Sequence, residues 1–129
     1  MAANSIISSI GQIAIAISDL EQSLLFYRDK LGLPVLFEVP PNMAFLTCGD
    51  VRLMLTKLQG DPKDHKTSAI YYKVSDLSAA VEQIKLSGIQ FIQEPQLTAK
   101  MPDHELWQGF IRDPDDNLIG IMAELPLNE

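Results

Sequence analysis

The chain repeats itself. Gln12-Ile-Ala-Ile-Ala-Ile-Ser-Asp-Leu20 lies without a gap over Ala69-Ile-Tyr-Tyr-Lys-Val-Ser-Asp-Leu77. Internal similarity constrains a fold strongly, because each copy must build the same supersecondary unit and bury its apolar face in the same way. Both copies alternate apolar residues with others and end in Ser-Asp-Leu, the pattern of a half-buried strand entering a helix. Each helical stretch closes on a glycine, in Leu31-Gly32-Leu33 and in Ser87-Gly88-Ile89. A second strand follows in each half, Val35-Leu36-Phe37-Glu38 and Phe91-Ile92-Gln93-Glu94. Phe45-Leu46 with Arg52-Leu53-Met54-Leu55 then lies over Phe110-Ile111 with Leu118-Ile119-Gly120-Ile121, across a small gap at the turn.

Local chemistry agrees with that unit. Ser18 and Glu21 fit a capping box, with Ser18 as N-cap, and Ser75 holds the equivalent place in the second copy. Leu20, Leu24, Tyr27 and Leu31 follow helical spacing up to Gly32, as Leu77, Ala80, Val81 and Ile84 do up to Gly88. Met43–Cys48, Val51–Thr56, Glu105–Ile111 and Leu118–Ala123 are short and rich in β-branched or aromatic residues, so they read as strands. Asp113-Pro114-Asp115-Asp116-Asn117 is a turn between the last two. Each half is therefore strand, helix, three strands. A length of 129 residues suits one domain built of two such modules, 8–58 and 67–125, linked through Gln59 to Thr67.

Alternation assigns the faces. Ile13, Ile15 and Ile17, with Ile70, Tyr72 and Val74, and with Leu53, Leu55, Ile119 and Ile121, form an apolar surface for the helices. The opposite face carries Gln12, Ala14 and Ala16; Arg52, Met54 and Thr56; Ala69, Tyr71 and Lys73; Leu118, Gly120 and Met122. Small residues mixed with a few polar groups line a concavity better than a packed core. The expected class is α+β, with helices on the outer face and a cavity on the other.

Composition narrows the function. Ten Lys and Arg against 17 Asp and Glu give a net charge of −7, which disfavours binding to nucleic acid or to an anionic membrane. Cys48 is the single cysteine, so no internal disulfide forms and a cytoplasmic location is expected. No secretory signal is visible, and Ile13–Ile17 is far shorter than the ~20 residues of a membrane span.

Three segments carry a resemblance. Ile13-Ala-Ile-Ala-Ile-Ser-Asp-Leu20, Phe26-Tyr-Arg-Asp-Lys-Leu-Gly-Leu33 and Arg112-Asp-Pro-Asp-Asp-Asn117 make the chain similar to the vicinal oxygen chelate superfamily of glyoxalases, bleomycin-resistance proteins and extradiol dioxygenases. Asp116 stands where that family usually has glycine in the turn. The resemblance implies two βαβββ modules forming a curved mixed sheet around a U-shaped cleft, a homodimer, and a divalent metal in many members. It places the metal ligands at Gln12, Met54, Ala69 and Gly120. Gln12 offers an amide oxygen, Met54 a soft thioether, and Ala69 and Gly120 nothing, a set unsuited to a hard metal ion. No conventional metal, and no other cofactor, is therefore expected.

The remaining candidates are few. His104 lies at a loop-to-strand junction in Asp103-His-Glu105, where a carboxylate neighbour orients an imidazole for acid–base work. Arg52 and Lys73, beside Tyr71, project toward the cavity and suit a carboxylate or phosphate. Trp107, Phe110, Phe45 and Cys48 read as packing, His65 as an exposed linker residue, and Asp113, Asp115 and Asp116 as a turn rather than a calcium loop. The expected function is binding of a small organic molecule in the cleft without the usual metal. Two alternatives stand: a lyase, isomerase or dioxygenase using His104 or a displaced metal, and a structural dimer with a vestigial cleft. A dimeric ferredoxin-like α+β barrel is the competing fold, which the gapless repeat disfavours.

Overall fold

Six residues of alternating Ile and small side chains cannot bury one face alone, so each strand-initiated half must fold back on itself. The computed structural model describes residues 11–57 and 69–127, and these fall into two units divided between Lys66 and Thr67. Gln59 to Thr67, with His65, lies outside the described residues, as do residues 8–10 and 58 of the first expected module and 67–68 of the second.

In the first unit β1 (Gln12–Ile17) leads into α1 (Leu20–Leu24), and β2 (Val35–Val39), β3 (Met43–Cys48) and β4 (Val51–Lys57) follow. The sheet order is β1-β4-β3-β2. β1 runs parallel to β4, while β3 is antiparallel to both β4 and β2. The second unit repeats this plan with β5 (Ile70–Lys73), α2 (Leu77–Leu86), β6 (Gln93–Lys100), β7 (Glu105–Arg112) and β8 (Leu118–Leu125), in the order β5-β8-β7-β6. Strand, helix, three strands thus occurs twice, an α+β fold of two four-stranded mixed sheets.

Register carries the repeat through to single residues. Ile13 pairs with Leu53, Ala14 with Met54 and Ile15 with Leu55; Ile70 pairs with Ile119, Tyr71 with Gly120 and Tyr72 with Ile121. One face of each sheet is the core. Ile15, Ile17, Leu46, Leu53 and Leu55 are buried in the first unit together with Leu20, Leu24 and Tyr27 from the helical segment. Ile84, Ile111, Ile119, Ile121 and Ala123 are buried in the second. Leu77, Ala80 and Val81 are half-buried beside Ile84, so the α2 stripe is shallower than its spacing implies.

Local chemistry departs from expectation in three places. The helix N-caps are Asp19 and Asp76, whose side chains accept from the N–H groups of Gln22 and Ala79 at 3.0 and 3.1 Å. Ser18 and Ser75 sit one residue too early, and a carboxylate also suits the positive end of the helix dipole. After Leu24 the helical segment widens into a π-type turn over Leu25–Lys30, closed by Leu31 N–H to the Phe26 carbonyl. The helix exit at Gly32 is left-handed, with φ of 79°. β6 starts at Gln93 rather than Phe91, although Ile92 N–H already bonds the Phe110 carbonyl.

The Asp113–Asn117 turn is held by one buried carboxylate. Asp113 Oδ1 accepts from the N–H groups of Asp115 and Asn117, and Oδ2 accepts from Asn117 Nδ2. Asp116 takes a φ of 69°, a left-handed backbone that aspartate tolerates better than most residues. Among the described residues, no helix is long and apolar enough to cross a membrane.

Candidate functional site

The face of each sheet turned away from its helix carries the polar groups. On the first unit, parallel pairing sets Gln12 beside Arg52. Arg52 Nε donates to Gln12 Oε1 at 3.0 Å, and Gln12 Nε2 approaches the Met54 thioether at 3.6 Å. The Arg52 guanidinium lies 5.6 Å from the centre of the Phe45 ring, within cation–π range. Phe45 in turn stacks on Phe37, with ring centres 4.6 Å apart and planes 27° from parallel.

The donor set at this place fits a divalent metal poorly. Gln12 supplies the one hard donor atom of the implied pair, and that oxygen already accepts a hydrogen bond from a guanidinium. A second cation brought to that oxygen meets Coulomb repulsion from Arg52. Met54 adds a soft sulfur, which accepts from the Gln12 amide at 3.6 Å. Among the described residues, no three His, Cys, Asp or Glu side chains gather into a metal-binding group.

On the second unit, Tyr71 lies across β8 at Gly120. A Cβ at Gly120 would come within 2.7 Å of Tyr71 Cε2 and 2.8 Å of its Cγ, so only glycine admits the ring there. The ring meets Phe110 edge-on, with centres 5.8 Å apart. Lys73 Nζ bonds Glu124 Oε1 at 3.0 Å, and the other Glu124 oxygen lies 3.8 Å from His104 Nε2. Asp103 holds His104 Nδ1 at 2.7 Å. Ala69 precedes β5 and is exposed, offering a methyl group only.

The structure therefore groups the sequence candidates as two sets. Gln12, Arg52 and Met54 form one cluster, and Tyr71 with Gly120 and Lys73 with His104 form the other, the last pair through Glu124. Trp107 packs on the core side, its indole N–H donating to the buried Glu105 carboxylate at 3.1 Å. Two contributors escaped the sequence reading. Glu124 was findable, since alternation from Gly120 through Met122 puts it on the same face. Phe37 was not. Val35 pairs with Leu46 but Phe37 pairs with Phe45, a one-residue bulge at Leu36. Without the bulge, Phe37 would follow Val35 onto the core side.

Comparison with known proteins fits this architecture. Residues 9–121 match the family model of the glyoxalase/bleomycin resistance protein/dioxygenase superfamily. An uncharacterised protein of Bacillus subtilis is 25% identical over 130 residues, covering 88% of this chain and 97% of its own. A virulence protein from Salmonella typhimurium superposes with a TM-score of 0.75 at 23% identity, over 92% of this chain and 98% of its own. Lactoylglutathione lyase from Agrobacterium tumefaciens gives 0.72 at 20% identity, over 92% and 96%. Identities this low, in the two structures, speak for the fold alone.

Proposed function

Because the chain belongs to the glyoxalase/bleomycin resistance protein/dioxygenase superfamily, we propose that it binds a small organic molecule on its open sheet faces without the divalent metal conventional in that superfamily. One observation carries the reading: the Gln12 amide oxygen is held by Arg52, while Ala69 and Gly120 supply no donor. The chemistry available is that of a polar-anchored apolar surface. On the first unit Arg52 provides positive charge, Phe37 and Phe45 provide aromatic area, and Gln12 orients Arg52; on the second, Tyr71 provides aromatic area beside Lys73, which is paired with Glu124. Working as a homodimer in the cytoplasm belongs to the same proposal.

The test is metal titration of chelator-treated protein by calorimetry with Ni²⁺, Zn²⁺, Mn²⁺ and Fe²⁺. Weak, non-stoichiometric heats are expected. Stoichiometric binding that Gln12→Ala abolishes refutes the reading.

The Asp103–His104 pair favours a second reading, proton transfer beside a substrate carbonyl. Asp103 holds Nδ1, which leaves Nε2 as the nitrogen available for proton transfer. Glu124 lies on that side, so substrate must displace its 3.8 Å approach. His104→Gln separates the two readings: a binding protein keeps its ligand affinity, and an enzyme loses turnover.

A further inference from the structure

Of the three arginines in the chain, two are committed to carboxylates. Arg28 is paired with Asp29 at 2.8 Å and Glu38 at 3.6 Å, and Arg112 approaches Asp116 at 3.5 Å. The Arg28 hydrogen bond also holds the Asp29 carboxyl below its usual range. Arg52 differs. Its Nε is used by Gln12, and among the described residues no carboxylate pairs with its guanidinium. In a chain with 17 acidic residues and a net charge of −7, an arginine that pairs with no acid among the described residues is a place where an anionic ligand can bind. A guanidinium offers a flat fork of donors that matches a carboxylate bidentately, and the Gln12 bond fixes its orientation before any ligand arrives.

The surroundings specify the rest of the ligand. Phe37 is about half exposed, at 52%, and stacks on Phe45, which lies under the Arg52 guanidinium. The Leu36 bulge is what turns Phe37 to this side. A cationic ligand is repelled by Arg52, and a neutral one leaves its exposed fork to water and gains nothing from the charge. We infer that this face takes a planar aromatic carboxylate, its anionic end on the terminal nitrogens of Arg52 and its ring against Phe37 and Phe45. The inference rests on the metal-free binding proposed above and names its ligand class.

The experiment is NMR titration of the ¹⁵N-labelled full chain with benzoate, cyclohexanecarboxylate and benzamide, following the Arg52 Nε–H resonance and the backbone amides. Benzoate is expected to shift Arg52 and the β2–β4 amides. Cyclohexanecarboxylate binds about 2- to 10-fold more weakly for lack of ring stacking, and benzamide more weakly still for lack of charge. Arg52→Gln weakens benzoate by about 10-fold or more, and Arg52→Lys falls between, since it keeps the charge and loses the fork. Melting curves of both variants confirm that they fold, and mapping on the native chain needs no variant. Benzoate shifts confined to β5–β8, equal binding of benzamide, or no shift with any probe each overturn the inference. None of these touches the proposal of a metal-free site, which metal titration alone decides.

Discussion

Gly120→Ala changes sign with the residue across from it. A Cβ at Gly120 falls closest to Tyr71 Cδ2 and within 2.7 and 2.8 Å of its Cε2 and Cγ, so the ring must retreat by more than about 1 Å to reach ordinary van der Waals distance. Because Tyr71 is 44% exposed, it can move, at a cost of about 0.5–1.5 kcal/mol in rotamer strain. Losing the edge contact with Phe110 adds a further ~0.5–1.5 kcal/mol. Against this, alanine in a strand gains about 0.5–1 kcal/mol over glycine. The net expectation is a loss of about 1 kcal/mol in the native background. With Tyr71→Ala the obstruction is gone, and Gly120→Ala then stabilises by about 0.5–1 kcal/mol. The coupling is about 2 kcal/mol, within the range for residues in contact. Denaturant unfolding followed by the fluorescence of Trp107, the single tryptophan, reads the second unit directly. Gly109→Ala serves as the control: its Cβ meets Pro95 N at 2.6 Å and Gln93 O at 2.7 Å, backbone atoms that Tyr71→Ala does not release. Equal effects of Gly120→Ala in both backgrounds refute the reasoning.

Three further outcomes are expected from denaturant unfolding of single variants. Asp19→Ala loses about 1 kcal/mol with its capping bond, while Ser18→Ala stays within about 0.5 kcal/mol; a larger loss at Ser18 restores the serine cap. Asp113→Ala costs about 2–4 kcal/mol, since one buried carboxylate accepts three bonds that close the turn; a neutral effect means that backbone pairing of β7 and β8 suffices. Asp116→Gly is neutral or stabilising by up to about 1 kcal/mol, because glycine adopts the 69° φ without steric cost; clear destabilisation shows that the Arg112–Asp116 contact outweighs the backbone.

The repeat made most of the scaffold legible. It set Leu53 over Ile119 and Leu55 over Ile121, and these are the residues that pair with the equivalent positions of β1 and β5. What escaped depends on choices that a pattern does not encode. Ser18 and Asp19 both cap helices well, and only the phase between strand and helix decides which side chain reaches the Gln22 N–H. The bulge at Leu36 adds one residue to one strand and so reverses the face of everything after it. At the site, residue types showed that Gln12 was the one hard donor among the implied ligands. That its oxygen was already taken by Arg52 is a matter of two rotamers, and strand alternation placed the two side chains on one face without joining them.

Two matching pairs of register partners bear on the history of this duplication. Ala14 opposes Met54 in the first unit, and at the matching place Tyr71 opposes Gly120 in the second. Bulk sits on the closing strand in one half and on the opening strand in the other. Transplanting β1 into the second half would set alanine against glycine and leave a hole; transplanting β5 into the first would force tyrosine against methionine. The halves share a blueprint yet are no longer spare parts for each other, and a protein made by fusing two copies of either strand set should pack its open face less well than the natural, unequal pair.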